Sequence, residues 1–145
     1  MSEYVNSKSS VTKIHYAQGC NILDSVLRPF RSDVLRAPNG ENGLLGEYFN
    51  NIDMSGEPIL TRVDPQIDFN WWFSPPGKGV SADRYSIRWT GKLVADKDAE
   101  MFIGLSTMDS MRLYIDDVLI ADAWEFNSAM TKLMPFTLKA GPSIW

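Results

Sequence analysis

Gly43–Asn50 reads GLLGEYFN, and with it the texture of the chain changes. From here on, segments rich in Leu, Ile, Val, Tyr, Phe and Trp recur, separated by Gly, Pro, Asn and Asp. Such residues suit a pleated, half-buried surface, and the spacing predicts strands at Leu45–Phe49, Ile59–Val63, Ser86–Val94, Met101–Ser106, Arg112–Ile115 and Val118–Asp122. Between LYI and VLI stands Asp116-Asp117, which predicts a two-residue hairpin turn because Asp tolerates positive φ. Strands this numerous, without alternating helices, predict an all-β fold: an antiparallel sandwich or barrel.

The chain before Gly43 is of another kind. Residues 1–10, MSEYVNSKSS, are polar and read as a lead-in. Val11–Ala17 alternates well enough for a short strand. Asn21–Val34 carries Ile22, Leu23, Val26, Leu27 and Phe30 at a spacing suited to one or two helical turns, with Pro29 breaking the pattern. Arg36–Asn42, RAPNGEN, is a turn-rich linker. The expected division is therefore a short α/β or irregular leader over 1–42 and a β domain over 43–145.

The length of 145 residues fits one domain with a substantial core. A net charge of -4 without any basic run argues against nucleic acid as a partner. No apolar stretch approaches the ~20 residues of a membrane helix, so no membrane partner is expected. The N-terminus lacks the apolar core of a secretory signal, and Cys20, the one cysteine, can form no internal disulfide. These features leave the compartment open while leaning to the cytoplasm.

Taken in order, GLLGEYFN, FNW (Phe69–Trp71), YSIRWTGKLV (Tyr85–Val94) and MDSMRLYIDDVLIADAW (Met108–Trp124) resemble the protective-antigen fourteen-kilodalton domain, here PA-fourteen. The resemblance runs from Gly43 to Gly141 and implies an antiparallel β barrel or sandwich. Two further stretches, VTKIHYAQGC and GEPILTRVDPQIDFNW, resemble the branch of that family inserted in family-three β-glucosidases. That resemblance implies a non-catalytic carbohydrate-recognition accessory domain of a glycoside hydrolase. Its partners would be a carbohydrate and an adjoining catalytic domain, whose outer sugar subsite the module would shape.

The residues themselves offer no catalytic constellation. A retaining glycosidase needs paired carboxylates on a catalytic barrel, and nothing here resembles the nucleophile motif. Asp64-Pro65, Asp96–Asp98 and Asp116-Asp117 read as turn or surface carboxylates. His15, the sole histidine, and Cys20 read as a strand residue and a buried thiol, too few for a zinc site. In the adhesin branch of the resembled family, two adjacent aspartates hold calcium. The matching positions here are Met108 and Asp109, and methionine supplies no hard oxygen ligand. Asp109 is left as the single candidate metal residue, with backbone capping as its structural alternative, and no cofactor is expected.

Trp71, Trp72 and Phe73 are the candidate carbohydrate-binding residues. Adjacent strand residues face opposite ways, so both tryptophans cannot enter one core, and an exposed indole offers a flat face to the C–H surface of a sugar. The Pro- and Gly-rich run that follows suits a projecting loop. Trp89 and Trp124 are expected in the core, Glu47 is expected to anchor a loop, and Arg88 and Arg112 either satisfy carboxylates or reach a ligand. The chain closes on LKAGPSIW, where Pro142 lacks a donor, so the final strand is expected to be missing or severely shortened. An edge left open there would invite self-association. Besides the accessory-domain reading stand two alternatives: a calcium-assisted lectin or adhesin domain, and a structural spacer.

Overall fold

The structure, a computed structural model, describes residues 28–72, 74–124 and 129–144. Among the described residues there are ten strands: β1 Leu35–Arg36, β2 Leu44–Phe49, β3 Leu60–Asp64, β4 Ser86–Thr90, β5 Lys92–Ala95, β6 Ala99–Thr107, β7 Met111–Ile115, β8 Val118–Ala123, β9 Met130–Leu138 and β10 Gly141–Ile144. They form two three-stranded sheets, β1-β5-β10 and β3-β2-β4, and two ribbons, β6-β9 and β7-β8. Every pairing is antiparallel. The fold is all-β and antiparallel, with one 3-10 turn at Ser32–Val34 as the helical content of the described residues. No helix among them is long and apolar enough to cross a membrane.

The strands expected from Leu45, Ile59, Met101, Arg112 and Val118 form close to their expected bounds. Ser86–Val94, expected as one strand, is two. Gly91 turns the chain from the β2 sheet into the β1-β5-β10 sheet. A Cβ there would lie 2.5 Å from Leu44 Cδ2 and 2.7 Å from the Arg36 carbonyl oxygen, so the corner has room only for hydrogen. The Asp116-Asp117 turn takes φ of 50° and 63° between paired Ile115 and Val118, the left-handed pair of a type I′ hairpin.

Three regions differ from the expected layout. Leu35–Arg36, ahead of the expected boundary at residue 42, pairs with Leu93 and Lys92 and buries Leu35 in the core. The RAPNGEN linker is the turn between this strand and β2, closed by Ala37 N–H to the Glu41 carbonyl at 2.9 Å. Strand β9 was not foreseen in MTKLMPFTL. Its Pro135 stands opposite Phe102, and β9 has no second neighbour in its ribbon, so a residue without an N–H is accommodated there. At the chain's end Gly141–Ile144 forms a four-residue strand along β5, with Pro142 opposite Val94. It is an outer strand of its sheet, the place where proline is tolerated, and it covers the edge of β5 that a missing strand would leave open. The expected elements at Val11–Ala17 and over most of Asn21–Val34 lie outside the described residues, as do His15 and Cys20.

Two apolar clusters hold the layers together. Leu35, Leu44, Leu93 and Leu138 form one, and Ile103, Leu113, Ile115 and Ala121 the other. Phe30 and Phe136 touch both and join them into one interior.

Candidate functional site

The inward row of β2 is Leu44, Gly46 and Tyr48. Gly46 lies opposite Arg62 of β3 on one side and Trp89 of β4 on the other. At the end of β3, Asp64 turns its carboxylate into the space over Gly46 and is only 2% exposed. Tyr48 Oη donates to Asp64 Oδ2 at 2.5 Å, Trp89 Nε1 donates to the same oxygen at 2.7 Å, and Arg62 Nε donates to Oδ1 at 2.6 Å. A buried carboxylate is costly unless paired and hydrogen-bonded, and this one is both. A Cβ on residue 46 would sit 2.5 Å from Asp64 Oδ2 and 3.1 Å from Trp89 Nε1, so the glycine of GEYF makes room for the network. Burial and the Asp64 carboxylate together push the Tyr48 phenol well above its ordinary range, so it remains a donor.

Arg62 carries the network outward. Its Nη2 donates to Tyr48 Oη at 2.7 Å and its Nη1 to the Pro76 carbonyl at 3.1 Å. The guanidinium also lies 5.9 Å from the centre of the Phe69 ring. Phe69 and Pro76 are the two stems of the segment that carries Trp71 and Trp72.

The aromatic residues divide into a stack and an outlier. Trp71 stacks on Phe69 at 4.6 Å between ring centres and lies parallel to Trp89 at 6.4 Å. Tyr48 and Tyr85 meet Trp71 edge-on at 6.5 Å and 6.0 Å. Trp72 is 66% exposed, with its backbone N–H held by Asn70 Oδ1 at 3.2 Å. Residues 68–72 are not a strand, so it is irregular backbone with a bend at Trp72, rather than strand alternation, that sends the two indoles apart. Phe73 lies outside the described residues. The Tyr85 phenol, which meets Trp71 edge-on, is pushed above its ordinary range mainly by burial and further by the charge of Asp109.

Asp109 caps its own loop: Ser110 N–H donates to Asp109 Oδ1 at 2.8 Å, while Asp109 N–H donates to Thr107 Oγ1 at 2.9 Å. Met108 beside it is exposed. Among the described residues no group of three or more His, Cys, Asp or Glu could hold a metal ion.

Several expectations need correcting. Asp64, read as a turn carboxylate because Pro65 follows it, is the buried hub, since donors from β2 and β4 close over it. Trp124, expected in the core, is 39% exposed and lies against the Arg112 guanidinium, 4.6 Å from ring centre. Arg112 also donates to Asp122 at 3.2 Å, a surface pair. Glu47, expected to anchor a loop, faces Arg88 across the β2–β4 ladder and accepts its Nε at 2.9 Å. Trp89 is partly buried and is a member of the Asp64 network. The sequence signal for that network is the Arg-x-Asp that closes β3 opposite the Gly-x-Tyr of β2, legible only once the pairing of β2 and β3 is known.

A glycine-floored β2, a buried aspartate closed over by Tyr and Trp, and the hairpin at Asp116-Asp117 can be set beside known proteins. Residues 40–142 match the PA14 domain. The chain belongs to the PA14 domain family. A stretch of 100 residues is 39% identical to the anti-sigma-I factor RsgI3 of Acetivibrio thermocellus, covering 69% of this chain and 15% of that protein. The chain thus spans well under a quarter of that relative's length. Two solved structures are similar at comparable identity. An anti-sigma factor domain-containing protein is 38% identical with a TM-score of 0.60, over 70% of this chain and 36% of that one. Another, from Clostridium clariflavum, is 37% identical with a TM-score of 0.57, over 70% of this chain and 35% of that one.

A β-glucosidase from Kluyveromyces marxianus, solved with glucose, aligns with a TM-score of 0.57 at 20% identity, over 74% of this chain and 14% of that chain. At that identity the likeness shows the fold alone. The expectation of a glycoside hydrolase accessory domain beside a catalytic domain, with a β-glucosidase as parent protein, is therefore corrected: the relatives at 37–39% identity are of the anti-sigma factor kind. The reason is visible in the fold. GEPILTRVDPQIDFNW contributes Arg62, Asp64, Phe69 and Trp71, which build the interior network and the aromatic stack of the PA14 domain itself. Such a stretch reports the scaffold and not the protein around it.

Proposed function

We propose that this chain is a non-catalytic carbohydrate-sensing module of an anti-sigma-factor type of protein, with Trp72 as its sugar-stacking face and Trp71 as the support behind it. The observation that carries the reading is Trp72: a large indole, 66% exposed, on a turn whose stems are tied to a buried carboxylate. An apolar ring held open to water at the tip of a rigid loop costs solvation and contributes nothing to the core, which is the mark of a contact surface. Hexoses with equatorial hydroxyls present flat C–H faces, and an indole matches them in shape and polarity. The relatives named as anti-sigma factors suggest the setting, one in which a bound sugar would be read as a signal and not hydrolysed.

The test is titration of the chain with cellohexaose and xylohexaose, followed by calorimetry and tryptophan fluorescence. Trp72→Ala should weaken binding by about tenfold or more, as loss of a central aromatic anchor does. The same change should alter stability by only about 0.5 kcal/mol, because the side chain is exposed. Wild-type chain that binds neither hexasaccharide, or a Trp72→Ala variant that binds as well as wild type, would overturn the reading.

A further inference from the structure

Arg62 touches both stems of the loop that presents Trp72. Toward the interior, Nε meets Asp64 Oδ1 at 2.6 Å and Nη2 meets Tyr48 Oη at 2.7 Å. Toward the loop, Nη1 meets the Pro76 carbonyl at 3.1 Å, and the guanidinium plane lies 5.9 Å from the Phe69 ring centre and 4.7 Å from that of Tyr48. Three nitrogens of one rigid fork therefore serve three different elements: strand β3, strand β2 and the far stem of the loop. The near stem, Phe69, is fixed by parallel ring contacts with both Trp71 and Trp89. Gly77 follows Pro76, and a Cβ there would lie 2.4 Å from Leu60 Cδ2 and 3.4 Å from Arg62 Nη1, so the backbone presses close upon β3 at this point.

We infer that Arg62 is the positioning residue of the recognition loop: it clamps the Phe69 and Pro76 stems to the buried Asp64, so that Trp72 is held in place before ligand arrives. The inference rests on the proposed role of Trp72. Its physical content is preorganisation. A loop ordered in advance does not lose conformational freedom on binding, and the affinity is higher by that amount. Asp64 itself, fully enclosed, touches no ligand; it serves as the fixed point to which the guanidinium is tied. Lysine could not replace Arg62, because one ammonium cannot span Asp64, Tyr48 and the Pro76 carbonyl in the way a planar fork does.

Amide hydrogen exchange on the full chain, with Arg62→Gln and Arg62→Lys as variants, tests the clamp without any ligand. Exchange of the Trp72 and Val80 amides, which donate to Asn70 Oδ1 and to the Gly77 carbonyl at the two sides of the loop, should speed up about tenfold in both variants while the β6–β9 ribbon keeps its protection, since the opening is local. Acceleration spread evenly over β2, β3 and β4, or no acceleration at all, would show that Arg62 is only a structural partner of Asp64. The second arm is a double-mutant cycle with cellohexaose as probe. Arg62→Lys should weaken binding about tenfold in the wild-type background and not at all in the Trp72→Ala background, because the two residues act through one contact. Additive losses would overturn the inference. If wild-type chain ignores the probe, the carbohydrate reading fails, and the exchange arm decides the clamp by itself. Arg62→Lys keeps a cation beside Asp64, so the test survives should Arg62→Gln fail to fold.

Discussion

Replacing Asp64 by Ala puts the buried hub to its hardest test. The change removes the acceptor of three donors: Tyr48 Oη at 2.5 Å, Trp89 Nε1 at 2.7 Å and Arg62 Nε at 2.6 Å. Arg62 is about a third exposed and can turn to water, so its loss is partly recovered. Tyr48 is fully buried and Trp89 partly so; their donors would be left unsatisfied, at about 1–3 kcal/mol each. Against this, the desolvation of a carboxylate is relieved. The balance matches the cost of breaking a buried ion pair from one side, about 3–5 kcal/mol. Asp122→Ala is the control, because the Arg112–Asp122 pair is exposed on both sides and should contribute under about 1 kcal/mol. Urea unfolding followed by tryptophan fluorescence reads both, and the comparison is valid if the slope of stability against urea is unchanged. If Asp64→Ala costs no more than Asp122→Ala, the carboxylate is a solvated turn residue after all and the network argument collapses.

Further outcomes follow from the same geometry. Tyr48 is raised in the fold above its ordinary value of 10.0, so its contribution to stability is fully present below about pH 10 and is lost as pH climbs through the folded value. An alkaline unfolding titration should show this fall, and Tyr48→Phe should flatten it only in part, since Tyr85 is shifted in the same direction. Gly46→Ala should cost about 1–3 kcal/mol by overpacking, because the new methyl would sit 2.5 Å from Asp64 Oδ2; a neutral result in thermal unfolding would mean the network has slack. Asp117→Gly should raise stability by about 0.5–1 kcal/mol, the left-handed φ of 63° being free of strain for glycine; a loss would mean the aspartate side chain supports the turn.

The strands and the hairpin were legible because their causes are local. Alternation in MRLYI and VLIADA sets which faces are buried, and two aspartates suffice to specify the left-handed turn between them. That one of Trp71, Trp72 and Phe73 faces solvent was expected from the run alone; Trp72 does so, and the cause there is irregular backbone with a bend and not strand alternation. What the residues could not announce is which carboxylate goes inside. Asp64-Pro65 reads as a turn by every local rule, and its burial is decided by Tyr48 and Trp89, sixteen and twenty-five residues away in sequence. Strand β9 was hidden by Pro135 for a similar reason, since only its place at the open side of a ribbon makes the proline harmless. Trp124 looked like core because it is large and apolar, yet the outward Arg112 on the neighbouring strand offered its ring a partner at the surface. Sequence by itself determined periodicity, turn chemistry and family, which depend on neighbours in the chain. The tertiary structure alone decided burial of charge and the anchoring of the recognition loop, because both depend on donors and acceptors that meet only when distant strands are brought side by side.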